Sequence, residues 1–201
     1  MSKTAWIVIA IIALGIFFTI SWGIKTGNSM VAMEEGVSSS WSQVENVYQR
    51  RADLIPNLVS TVKGYAAHES ETLTAVVEAR AKATSVTVDP TKLNAASIQQ
   101  FQQAQGGLSS ALGRLMVVIE KYPDLKANEN FLALQAQLEG TENRITVERQ
   151  KFNQAAQAFN TYIRLFPQSI IASMRNFEKK AYFEAEKGSE KAPKVDFSKS
   201  K

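Results

Sequence analysis

The sequence predicts an all-α protein: an N-terminal transmembrane helix, then an antiparallel, four-helix-bundle-like bundle of long helices, with a short C-terminal helix and a polar tail. Three observations predict it. An unbroken run of 20 uncharged residues lies near the start. Three long stripes of apolar residues then recur at alternating steps of four and three, which is helical periodicity. No strand-like alternation of any length follows residue 30.

The first element is the run from Ala5 to Ile24. At about 1.5 Å per residue it spans about 30 Å, the thickness of a bilayer's hydrocarbon core. Trp6 and Trp22 stand near its ends, where indoles favour the interface, and Lys3 and Lys25 bracket it. A cleaved signal peptide is the competing reading. That would have an apolar region of about 7–15 residues followed by a small-x-small site. Thr19 to Ser21 is a poor version of such a site, and the apolar run continues past it. Residues 1–25 therefore read as an uncleaved, single-pass membrane anchor, meeting lipid along residues 5–24. One lysine on each flank leaves the positive-inside balance near parity, with a slight lean toward a domain outside the cytoplasm.

Residues 26–183 read as the bundle. The first stripe is Val37, Trp41, Val44, Tyr48, Arg51, Ile55, Leu58, Val62 and Tyr65. It keeps its register across Pro56, although an interior proline removes one backbone hydrogen bond. Two readings follow: one kinked rod from about Met30 to Ala83, or two helices, the second capped by Asp53. Residues 84–90 read as a loop, with Asp89 as N-cap and Pro90 at the first helical position. The second stripe is Phe101, Ala104, Leu108, Ala111, Leu115, Val118 and Tyr122. Gly106 and Gly107 weaken its helix or, with Ser110 and Gly113, supply a small-residue face for close packing. Tyr122 and Pro123 break it. The third stripe runs from Phe131 through Leu134, Leu138, Thr141, Ile145, Glu148, Phe152, Ala155, Phe159 and Tyr162 to Phe166, about 54 Å of helix. A short helix over about Gln168 to Arg175 follows. Connections this short make neighbouring helices antiparallel. Residues 184–201 read as a polar, lysine-rich, loosely ordered tail. Just before them, the aromatics of Glu178 to Glu184 either dock back on the bundle or bind a partner.

The chemistry lies where the stripes turn polar. Arg51 holds a core-type position, with Arg50, Asp53 and Asn57 beside it. Thr141, Glu142, Asn143, Arg144 and Glu148 interrupt the third stripe, and Asn153 follows. Antiparallel packing brings Arg50 and Arg51 level with Glu142 or Glu148. The result is either a buried ion-pair and amide layer that sets helix register or a polar pocket for a partner.

Composition excludes much else. There are 201 residues and a net charge of +4; leaving aside Lys3 and Lys25, 21 basic side chains stand against 19 acidic ones. That is not the basic stripe of a nucleic-acid binder. With no cysteine and a single histidine, His68, neither thiol catalysis nor a transition-metal site is expected, and no phosphate-binding glycine loop is present. No catalytic residue and no cofactor are expected.

Trp41 to Glu45, Tyr48 to Val59, Val62 to Glu69 and Ala79 to Ala81 together resemble the LemA family of bacterial membrane proteins. Leu112 to Leu115, Tyr122 to Ala127, Leu138 to Ile145, the repeated Phe-Asn of Phe152–Asn153 and Phe159–Asn160, and Phe166–Pro167 agree with it in order. So do Tyr182 to Ala185 and Ala192 to Phe197. The resemblance implies one anchor and a long-helix bundle, and it implies no enzyme activity. Some relatives are linked to building intracellular membrane organelles. Two positions depart from the pattern: Gly27–Asn28 stands where relatives commonly carry Tyr-Asn, and Asn176–Phe177 where they carry Gly-Phe. Asparagine also suits a left-handed C-cap. The expected role is a non-enzymatic membrane-tethered scaffold or adaptor whose partners are other proteins, a second copy included. A membrane-organising protein is the alternative, and a peptide-binding accessory or enzyme ranks third.

Overall fold

The computed structural model describes residues 3–185. Among them are six helices and no strand: α1 (Lys3–Tyr65), α2 (Ser70–Ser85), α3 (Ala95–Ile119), α4 (Pro123–Lys126), α5 (Glu129–Tyr162) and α6 (Gln168–Met174). The all-α fold and the bundle of long helices are as the periodicity predicts. The tail beyond Ala185 lies outside the described residues.

α1 is one helix of 63 residues, about 95 Å long. Its first part is apolar on every side. Trp6 to Ile24 expose their large side chains, and no 18-residue stretch elsewhere in the described helices is apolar enough to cross a membrane. Within it the Thr19 hydroxyl donates to the Gly15 carbonyl at 2.9 Å, so it carries its own acceptor into an apolar setting. Burial on α1 then begins with Thr26, Gly27 and Met30 and continues along the first stripe to Val62.

The steps from Trp41 to Arg51 to Tyr65 along α1 match, residue for residue, the steps from Phe152 to Glu142 to Asn128 along α5. Trp41 and Phe152 rings are 5.5 Å apart, Arg51 pairs with Glu142 at 2.9 Å, and Asn128 donates to the Tyr65 hydroxyl at 3.0 Å. The two helices therefore run antiparallel without a slip. α2 returns along α1, and α3 runs beside α2, antiparallel to it. The core forms two apolar clusters. One, nearer the anchor, gathers Trp41, Phe101, Phe152 and Phe159 with Met30 and Val37. The other, at the far end, gathers Ile55, Leu58, Leu108, Leu115 and Phe131.

The elements depart from the sequence reading at four places. Neither reading of the first stripe holds in full: the helix continues unbroken through Pro56, but it stops at Tyr65 rather than Ala83. The turn at residues 66–69 is closed from a distance, by the Tyr122 hydroxyl donating to Glu69 at 3.0 Å. Asp89 does not cap α3. Its carboxylate accepts from the backbone and hydroxyl of Thr91, and Asn94 caps α3 by accepting from the Ser97 N–H at 2.9 Å. Among the described residues the glycines of α3 pack against nothing: a Cβ added at Gly106, Gly107 or Gly113 would meet open space. The third stripe ends with α5 at Tyr162, and Phe166 is exposed.

The continuity through Pro56 has a specific cause. A proline at 56 cannot donate to the carbonyl of Ala52, one turn back. Arg80 of α2 takes the vacant place, its Nε donating to the Ala52 carbonyl at 2.7 Å. The gap in one helix is thus the fastening point for the next. Arg80→Ala is expected to destabilise the full chain by about 1–3 kcal/mol, because it strips a buried carbonyl of its partner. In a Pro56→Ala background, where residue 56 again has an N–H for that carbonyl, the penalty shrinks. Equilibrium denaturation of the four proteins in detergent micelles reads this coupling directly.

Candidate functional site

Arg51 sits between the two apolar clusters and is only 2% exposed. Position 51 falls on the buried stripe of α1, so the guanidinium has no route to water and must be satisfied by protein. Nη1 donates to Ser109 Oγ on α3 and to Glu142 Oε2 on α5, both at 2.9 Å. Nη2 donates to the Gln105 side-chain carbonyl at 2.8 Å and to its backbone carbonyl at 3.3 Å. Gln105 in turn donates through Nε2 to the Ala83 carbonyl of α2 at 3.2 Å. Arg51 Nε meets no protein acceptor. The guanidinium also lies 5.0 Å from the centre of the Tyr48 ring. All four long helices thus meet in one polar layer. Burial pushes the Tyr48 phenol above its ordinary range, against the opposing pull of Arg149 and Arg51.

The structure brings together only part of the residues singled out from sequence. Arg51, Thr141 and Glu142 share the layer, with Thr141 buried and its hydroxyl turned to the Gln137 carbonyl. Arg50, Asp53, Asn57, Asn143 and Arg144 are exposed, and Asp53 accepts from Gln49 one turn earlier. Glu148 pairs with Lys151 at 2.8 Å and does not reach Arg51. Gln105 and Ser109 complete the layer from α3. Their positions beside the second stripe are the only signal sequence offered for them. Lys3, Trp6, Trp22 and Lys25 lie along the exposed first part of α1.

Asn153 belongs to a second arrangement. After α6 the chain turns through Asn176, at φ 56°, and the Phe177 N–H returns to the Ala172 carbonyl at 3.0 Å, a left-handed helix stop of the kind asparagine permits. Residues 177–185 then run extended along α5. Asn160 and Asn153, two turns apart, each hold this strap by a pair of hydrogen bonds. Asn160 accepts from the Lys180 N–H and donates to its carbonyl, both at 2.8 Å. Asn153 does the same to Phe183, both at 2.9 Å. Phe183 stacks on Trp41 with ring centres 5.6 Å apart, edge-on to Phe101 and Phe152. Lys180 is buried and pairs with Glu34 of α1 at 2.6 Å. The aromatics of this segment therefore dock on the bundle.

A crevice of about 230 Å³ opens beside the layer, lined in part by Glu45, Tyr48, Ala83 and Gln105. Burial raises the Glu45 carboxyl above its ordinary value of 4.5, and the Trp41 N–H one turn before it pulls the other way.

Two outcomes follow for the layer. Arg51→Ala is expected to cost about 3 kcal/mol, because it strands Gln105 and opens a void. Glu142→Gln costs less than about 1 kcal/mol, since that carboxylate is 56% exposed and the amide still accepts a hydrogen bond. Denaturation midpoints order the two. For Glu45, a raised carboxyl means that the folded chain binds the proton more readily than the unfolded one. Its charge therefore weakens the fold at neutral pH, and the penalty is relieved as pH falls through the raised value. Glu45→Gln should raise Tm at pH 7, and the gain should vanish below pH 4.5.

Residues 40–197 match the model of the LemA family. The chain is similar to the magnetosome protein MamQ of Magnetospirillum gryphiswaldense, at 26% identity over 196 residues, covering 88% of this chain and 71% of that protein. It is 29% identical over 174 residues to magnetosome protein MamQ 2 of Paramagnetospirillum magneticum, covering 78% of this chain and 64% of the relative, so it spans less than two thirds of that protein's length. Protein LemA of Metamycoplasma hominis is 25% identical over 185 residues, covering 92% of this chain and 80% of its own. The family match starts inside α1, after the apolar stretch, and takes in both the Arg51 layer and the strap. On that match, this chain belongs to the LemA family.

Proposed function

We propose that the chain is a single-pass protein of the bacterial membrane that works without catalysis, as a rigid post presenting a helical docking surface to other proteins. The observation that carries this reading is the continuity of α1. The helix that supplies the apolar stretch also supplies the central face of the bundle, with no linker between Ile24 and Met30. A domain that had to search or close would stand on a flexible segment. Here the bundle's height and heading follow from the helix that crosses the bilayer. The polar layer supports a non-catalytic reading as well: Arg51, Gln105 and Ser109 are engaged with one another and, through Glu142 and the Ala83 carbonyl, with α5 and α2.

A second reading, direct organisation of the bilayer, is favoured by the similarity to proteins named as magnetosome proteins. The two separate in the following experiment. Full-length protein is crosslinked in intact membranes, beside a variant carrying a flexible Gly-Ser insertion between Lys25 and Thr26. The post reading expects discrete protein adducts that weaken in the variant. A pattern without adducts overturns it. Clustering or bending of protein-free liposomes by the purified chain favours the second reading instead.

A further inference from the structure

The base of the bundle carries an apolar surface that the core does not use. Arg164 to Arg175 contains no acidic residue. Within it Leu165, Phe166, Ile170 and Met174 are exposed, Phe166 by 81% and Met174 by 75%. Phe166, Ile170 and Met174 follow one another at four-residue steps, while Ala172 and Ile171 on the other side of α6 pack into the bundle. A cluster of this size calls for a partner.

Its height identifies the partner. Ile171 Cδ1 of α6 lies 3.5 Å from the place a Gly23 Cβ would occupy, and the Arg175 guanidinium lies on Gly27, within 2.5 Å of a Cβ built there. Gly23 is inside the uncharged stretch that ends at Ile24. α6 is therefore level with the last turn of the apolar part of α1, where Trp22 and Ile24 are exposed too. At that level the neighbouring medium is the head-group region. Arg164, Arg175 and Lys25 supply the positive charge that suits phosphate, and the aliphatic and aromatic side chains suit the acyl boundary beneath it. Gly27 has a use here too, since any side chain there would push the Arg175 guanidinium aside.

We propose that residues 165–174 form a second, interfacial membrane contact, in which Phe166, Ile170 and Met174 enter the bilayer that α1 crosses. The contact rests on the reading of residues 5–24 as the span. It fixes the bundle to the membrane at two points and holds it from rotating about α1.

The chain has no cysteine, so single labels can be placed at will. The full-length variants Phe166→Cys, Met174→Cys, Leu14→Cys and Val117→Cys each carry an environment-sensitive dye in liposomes of zwitterionic and anionic phospholipid. Val117 is 70% exposed near the far end of α3. The contact predicts blue-shifted emission at 166 and 174, with most of the intensity lost to lipids spin-labelled at a shallow acyl position, deep quenching at 14 and none at 117. Deep quenching at 14 with water-like emission at 166 and 174 overturns the contact and leaves the span standing. An unquenched label at 14 overturns the span itself. Shielding at 166 and 174 that resists the lipid quenchers and fades as the protein is diluted in lipid assigns the surface to a second copy and also overturns the proposal.

Discussion

One helix carries two kinds of surface. Over residues 5–24 α1 is apolar on every side, and beyond Met30 it is apolar along one stripe. Every other element is arranged by that change. Among the described helices, α1 is progressively enclosed from Gly23 onward: by α6 at its base, by α5 along its length, by α2 at its far end. The handover uses small residues. Gly23, Thr26 and Gly27 let α6 come close to the axis where a larger side chain would hold it off. The bundle is built around the membrane-facing helix rather than attached to it.

Within the bundle, Arg51 imposes the second constraint. A buried guanidinium contributes little net stability over a well-packed apolar residue, but it tolerates very few surroundings. A slip of one turn along α5 would set it against Leu138 or Ile145, both buried and apolar. The two apolar clusters on either side would accept such a slip more easily, since leucine and phenylalanine pack in many registers. The polar layer therefore selects one alignment from several of similar burial. Glu142, open to water on its outer side, lets the layer carry a full charge without a second desolvated ion.

The first stripe was legible because heptad spacing and burial are the same fact seen twice, and Arg51 stood out by breaking it. Val37 to Val62 are buried as the spacing required. The end of α1 was not legible: apolar residues continue at helical spacing into α2, and the turn joins a local bond from the Glu69 N–H to the Ala66 carbonyl with a contact from Tyr122, far away in sequence. Asp89 looked like a cap by its type and neighbours, yet a nearer claimant, Thr91, took its carboxylate. Gln105 and Ser109 are not legible as members of the layer, because such residues usually face water on a helix. Asn153 reads from sequence as part of the polar layer, and the structure sets it against Phe183 of the strap instead. Its true role was written in the repeat of Phe152–Asn153 and Phe159–Asn160, which places two amides on one face at the spacing an extended strand can meet. The small residues of α3 suggested close packing, but small size only permits an approach, and no helix makes it.

On the proposed span of residues 5–24, the unbroken α1 also acts as a lever. Its far end, at Tyr65, stands about 60 Å beyond Ile24. Transmembrane helices tilt by about 20° on average, more in thinner bilayers and less in thicker ones. Such a tilt carries the far end of the bundle about 20 Å sideways, by the length of the helix alone. Bilayer thickness would then become lateral reach, and a membrane that thins beneath the protein would swing its distal loops across the surface without any change in fold.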